Sequence, residues 1–260
     1  GGNLALSDTA ALRVDASVSR SSGWVDDTDS LTGAVTASLL LKPTDRLTVT
    51  LSGDYRHDDY STAYFGSTLV AASVARDPSG LVRNSQGLVL DKATIRRNYN
   101  VEDGEMNSTA WQLRARADYQ LSGRWTLSNE LAGYTADRLW KNSEDVSFNA
   151  ATGLLDRSST LIAHDHDYWV NRASVAFDGP FAGRRNRFTL GAEYSDTHFV
   201  THRRFGIVTP VDRFDPVRGR FPTVTKDNFP ASGNRVDWVS DATVAAIFAE
   251  DAFDLTAKWL

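Results

Sequence analysis

The sequence predicts an all-β fold, an antiparallel transmembrane β-barrel, and three observations predict it. Polar and apolar residues alternate with a period of two through most of the chain. Connections alternate between tight turns and long polar segments, and aromatic residues recur near both ends of the apolar runs. Alternation alone also fits a soluble antiparallel sheet with its apolar face inward. Strand length, loop asymmetry and the placement of the rings favour the barrel.

The elements follow in order. Leu12, Val14, Ala16 and Val18 alternate with Arg13, Asp15, Ser17 and Ser19, and the polar segment SSGWVDDTDS follows. Val35, Ala37, Leu39 and Leu41 make the next apolar face, and the turn PTDR leads to Leu47, Val49, Leu51, Gly53 and Tyr55. A long connection is expected from Phe65 to Met106. Trp111 to Leu121 then puts Trp111, Leu113, Ala115, Ala117 and Tyr119 on one face, against Arg114, Arg116 and Asp118 on the other. That run matches the roughly 9–11 residues a tilted strand needs to cross a bilayer. After the turn SGR the alternation resumes at Trp125 and Leu127, and NAATGLLDRSS reads as another long loop. Ala173, Val175 and Phe177 end a strand, GPFAGRRN turns, and Phe188, Leu190, Ala192 and Tyr194 begin the next. A further long loop is expected from Phe205 to Val236, before ATVAAIFAEDAFDL, which is strand-like without a clear parity. Tyr119, Trp125, Phe177 and Phe188 flank short turns, while Tyr55, Trp111 and Tyr194 lie toward the opposite strand ends, as girdles at two membrane interfaces would.

Composition removes several classes of function. A net charge of −5 and a pI near 5.5 give no basic footprint for nucleic acid. Without cysteine there is neither a disulfide framework nor a thiolate metal site. No run is apolar over the roughly 18 residues a membrane helix requires, which a barrel does not need either. The opening GGNLALSDTAAL lacks the basic region and apolar core of a signal peptide. His164 and His166 share a strand face, as do His198 and His202, but HFVTH lacks the glutamate of the zinc-protease pattern. Polar lining near the outer rim is the better reading of these histidines. With no phosphate loop, nucleophile elbow or singled-out carboxylate pair, no enzyme and no protein-held metal are expected.

The segments KPTDRLTVTLSGDYRHDDY, RARADYQLSGRWTLSNELAGYTADRLW, GPFAGRRNRFTLGAEYSD and AAIFAEDAFDLTAKWL resemble the barrel of TonB-dependent outer-membrane receptors, most of all the ferric-siderophore branch. In the last segment Glu250 and Asp251 resemble that family's acidic pair before a periplasmic turn. The resemblance runs from about Ala10 to the C-terminal residue and makes residues 1–260 one partial barrel domain. It implies roughly nine or ten of about 22 strands, with the plug and the TonB-contacting segment outside this internal fragment. It also implies a Gram-negative outer membrane, lipid around the barrel, TonB as partner through the missing part, no nucleic acid, and no cofactor, since iron arrives chelated in the siderophore.

Receptors of this kind hold bulky, partly aromatic chelates with rings and a few polar groups. Strand parity carried past the membrane band puts Tyr60, Tyr64, Tyr134, Trp140, Tyr168 and Phe199 inward near the extracellular end, with Arg138 and Arg203 on the same side. Rings stack on planar chelating groups and arginine pairs with anionic ones. A receptor for haem, cobalamin or a glycan, a passive porin-like barrel, and a soluble β-sheet binding protein are the alternatives.

Overall fold

Nine of the twelve strands form one antiparallel sheet in a computed structural model that describes residues 1–62, 66–222 and 234–254. In chain order they are β1 (Gly2–Ser7), β2 (Ala10–Ser21), β3 (Ser30–Thr44), β4 (Leu47–Tyr60), β8 (Glu105–Gln120), β9 (Trp125–Phe148), β10 (Leu155–Phe181), β11 (Arg184–Val211) and β12 (Asn234–Phe253). Each pairs with its sequence neighbour in this series, as a meander of hairpins requires. The other three, β5 (Leu69–Val70), β6 (Pro78–Arg83) and β7 (Val89–Asp91), make a small sheet within the β4–β8 connection.

Register fixes the two faces of the large sheet. Tyr55 pairs with Trp111, Leu51 with Ala115, Ala115 with Leu131, Val175 with Leu127 and Leu190, and Phe177 with Trp125 and Phe188. These residues share one apolar face. Its aromatic rows stand at both ends: Tyr55–Trp111 at 4.4 Å and Trp169–Tyr194 at 5.4 Å toward the long loops, Trp125–Phe177 at 4.9 Å toward the short turns. Its large side chains are exposed, Leu113 at 63% among them. Two asparagines interrupt the band, and each satisfies the other. Asn129 and Asn171 exchange hydrogen bonds at 3.2 Å and donate to the carbonyls of Arg172 and Glu130. No polar group of the pair is stranded, as its setting among apolar side chains demands.

The opposite face is polar and bonded to itself. Arg116 Nε donates to Asp118 at 2.9 Å, Ser128 Oγ donates to Asp118 at 2.6 Å, and Arg172 bonds Glu193 across the β10–β11 ladder.

Three expectations are corrected. NAATGLLDRSS is not a long loop: β9 and β10 run on for 24 and 27 residues, LDRSS belongs to β10, and only a turn at residues 149–154 joins them. Asn149 Oδ1 accepts the N–H groups of Ala151 and Thr152, Gly153 takes φ +74°, and Leu155 re-enters a buried cluster. The Phe205–Val236 connection is also shorter, because β11 continues to Val211 and β12 already begins at Asn234. His198 and His202 do not line the polar face. They lie on the apolar side beyond the aromatic row, 2.5 Å from Asp241 and 2.7 Å from Asp237. The ambiguous parity of β12 resolves with Ala245, Ile247, Ala249 and Asp251 on the apolar face.

The buried core sits outside the large sheet's middle, where residues 66–104 and 212–222 fold over the extended β9–β10 hairpin. Tyr99, Leu155 and Val211 form it with Val146 and Phe148. Asn100 ties it down: its Nδ2 donates to Asn142 Oδ1 at 2.5 Å and to the Thr62 carbonyl, while its Oδ1 accepts the N–H groups of Val101 and Ser143. Burial pushes the Tyr99 hydroxyl up to about 12, and that hydroxyl donates to the Arg213 carbonyl at 2.7 Å.

Asp91 holds the small sheet. Burial alone would raise its carboxyl, but the backbone N–H groups of Arg76, Asp77 and Ala93, with Arg213 nearby, hold it below the ordinary range. A carboxyl depressed on folding stabilises the fold above its unfolded value of about 3.9 and loses that contribution as pH falls through the lower folded value. Amide exchange at residues 76–77 and 93 is therefore expected to stay protected at pH 4 and to quicken only at lower pH. Asp91→Asn should abolish that acid step, since one amide oxygen cannot serve three donors. Unchanged acid dependence in the variant would exclude Asp91 as its source.

Candidate ligand-binding face

The polar face is organised in rows that run across the strands by register. Near the long-loop end one row reads Tyr60, Met106, Trp140, Ile162, Arg203 and Val236. The next reads Asp58, Ser108, Arg138, His164, Thr201 and Trp238. Below it Ala136, His166 and Phe199 align, and then Tyr134, Tyr168 and Thr197. Seven of the eight expected ligand residues thus lie on this one face. The eighth, Tyr64, falls outside the described residues.

The seven do not all meet. Tyr134, Arg138, Tyr168, Phe199 and Arg203 gather on β9, β10 and β11. Phe199 stands 5.0 Å from the His164 ring and 5.6 Å, edge-on, from His166, which meets Tyr134 edge-on at 5.4 Å. Tyr60 lies apart on β4, its hydroxyl 3.1 Å from Thr32 Oγ1 and within reach of Asp58. With Trp24 and Met106 it lines a separate hollow of about 450 Å³. Trp140 donates its indole N–H to Glu144 further along its own strand.

Three polar atoms at the centre of the patch are buried and unpaired. His164 Nε2, Thr201 Oγ1 and Arg203 Nε have no hydrogen-bond partner among the described residues, and Thr201 and His164 are direct register neighbours. Buried polar atoms of native proteins are nearly all bonded, so three unpaired ones in adjacent rows mark a place built for something other than packing. Together the patch offers two arginines, two imidazoles and three rings. That suits a planar, electron-rich, anionic ligand through stacking and charge-assisted hydrogen bonds.

His164 and His166 complete this patch, and the sequence held the signal that places them. Counting back in twos from Ala176, which faces the polar side, reaches His166 and then His164. Among the described residues, no group of three His, Asp or Glu side chains is placed to hold a metal ion.

No family model and no curated protein matches the chain. Solved structures do. The Escherichia coli K12 ferric-catecholate import receptor Fiu superposes with a TM-score of 0.78 over 98% of this chain and 36% of its own, at 14% identity. BauA, the ferric preacinetobactin receptor of Acinetobacter baumannii, gives 0.63 over 98% and 39% at 11% identity. Pseudomonas aeruginosa FpvA bound to ferric pyoverdine gives 0.66 over 96% and 37% at 12% identity. The chain therefore spans little more than a third of the length of these receptors. At that extent it has the fold of ferric-siderophore TonB-dependent receptors, as a stretch of their β-barrel wall.

Proposed function

We propose that this chain is part of a gated outer-membrane receptor that takes up a ferric siderophore, with its polar face inside the barrel and its apolar face against lipid. The observation that carries the reading is the patch of Tyr134, His164, His166, Phe199, Arg138 and Arg203 on the polar face at the long-loop end, which this reading makes the inner wall near the outside of the cell. Its chemistry fits an anionic chelate with aromatic arms, and the iron is cargo, held by the chelator. No covalent chemistry is assigned to the chain. A plug domain and TonB, supplied by the rest of the receptor and its cell, would couple binding to transport.

Binding of ferric siderophores to the full-length receptor, followed by tryptophan quenching, tests this. A hydrogen bond to a charged group contributes about 1.5–3 kcal/mol. Arg203→Ala is thus expected to weaken binding by about 10- to 100-fold. His202→Ala, one residue earlier but on the opposite face, should leave affinity unchanged. Binding of haem or cobalamin in place of every ferric siderophore tried would overturn the ligand class, and equal effects of the two substitutions would overturn the site.

A further inference from the structure

We propose that the short-turn end of the apolar face binds the head group of a zwitterionic phospholipid, an ammonium next to a phosphodiester. A hollow of about 460 Å³ opens there, lined by Trp125, Phe177, Phe181, Phe188, Asn186 and Asp251. Trp125 and Phe177 are 4.9 Å apart, Phe188 is the register partner of Phe177, and Phe181 is 65% exposed. Four rings and a carboxylate around one space is the chemistry that recognises an alkylammonium ion, through ring faces and a counter-charge.

Asp251 is the unexpected member. It pairs in register with Phe188, so it projects from the apolar face between Ala249 and Phe253. Asn186, only 8% exposed, donates Nδ2 to Asp251 Oδ1 at 2.5 Å and fixes its orientation. Among the described residues Asp251 has no salt-bridge partner. A charge set among rings at a membrane interface is costly unless a cation meets it. The second half of a zwitterion also finds its complement. Arg184 is exposed, stands opposite Phe181 in register and makes no salt bridge among the described residues, which leaves it open to a phosphodiester.

A lipid fits better than a soluble ammonium compound or a partner's lysine. The hollow sits in the aromatic row, where head groups lie in a bilayer. It also continues without a break into Leu127, Val175, Leu190 and Ala249, which give acyl chains a surface to follow. The inference rests on the membrane placement and is independent of the ligand taken up.

The test uses the full-length receptor in mixed micelles with equal phosphatidylethanolamine and phosphatidylglycerol, and native mass spectrometry to count retained lipid. The wild type is expected to retain phosphatidylethanolamine in about 30-fold preference, the size of one desolvated cation–ring contact. Asp251→Asn should bring the two lipids to parity. Phe181→Ala, at an exposed position beside the turn, should lower retention of phosphatidylethanolamine, and it decides the matter if Asp251→Asn does not fold. Equal retention by the wild type, a preference for phosphatidylglycerol, or an unchanged ratio in both variants would overturn the proposal. Displacement of the lipid by free lysine peptides would do so as well, by assigning the site to a protein partner.

Discussion

Arginine at position 51 is expected to destabilise the folded protein by about 2–4 kcal/mol, and arginine at position 47 by about 0–1 kcal/mol, when both are measured in lipid vesicles. Both leucines lie on the apolar face of β4. Leu47 pairs with Tyr119 in the aromatic row at the short-turn end; Leu51 pairs with Leu39 and Ala115, midway between that row and Tyr55. A guanidinium at Leu47 reaches head groups and water, whereas one at Leu51 meets hydrocarbon in every direction along its face. Thr48→Arg is the companion variant. Thr48 is on the polar face with Asp118 as its register partner, and an added arginine there should change stability by about 0.5 kcal/mol or less. The depth profile is what separates a bilayer from a protein core. A soluble sheet that buried this face would penalise Leu47→Arg and Leu51→Arg alike, so a flat profile in guanidinium titrations would end the membrane reading.

The barrel wall was legible because its physics is local. One face in an apolar medium and the other in a wet one imposes period two residue by residue, and Trp111 to Tyr119 or Leu47 to Tyr55 can be read directly. The candidate site was partly legible for the same reason: parity put Tyr134, Tyr168 and Phe199 on the polar face, where register sets them in two adjacent rows. Parity gives a face and no distance, so it grouped Tyr60 with residues that register places several strands away. It failed where polar residues are held by tertiary contacts. The residues of DRSS in β10 read as loop because each is polar, yet Arg157 and Ser159 are buried beneath the cap that residues 66–104 and 212–222 make over the hairpin. His198 and His202 were assigned to the lining on residue type. The register of β11 with β10 and β12 places them opposite it, where the aspartates of β12 meet them. Asp237 and Asp241 lay in or beside what looked like loop, so the pairing had no visible partner in the sequence.

Arg157→Met is expected to release the cap over the long-loop end without unfolding the barrel wall. Arg157 is 3% exposed and has no carboxylate partner among the described residues; burial, reinforced by repulsion from Arg218, pulls its pKa down to about 10. Backbone carbonyls take the place of a counter-ion. Nη1 donates to Tyr99 at 2.8 Å, Nε and Nη2 donate to Thr209 at 3.0 and 2.6 Å, and Nη2 also donates to Arg218 at 3.0 Å. One side chain thus joins the hairpin β9–β10, the β4–β8 connection and the start of the β11–β12 connection. Methionine keeps much of the volume and leaves three carbonyls without a donor, at about 1–3 kcal/mol for each one that stays buried. The cap escapes that cost by opening locally, because the ladders of β9, β10 and β11 below it bond independently. Hydrogen exchange at Tyr99–Val101 and near Thr209 should accelerate by at least about 100-fold, the equivalent of roughly 2.8 kcal/mol. Exchange along Ala173–Phe177 should stay as slow as in the wild type. Lysine cannot rescue the variant, since a single ammonium cannot span carbonyls that the planar fork of arginine reaches from three nitrogens. Global loss of protection in both regions would show that cap and wall unfold together, and protection retained at Tyr99–Val101 would show that the buried apolar cluster holds the cap without the arginine.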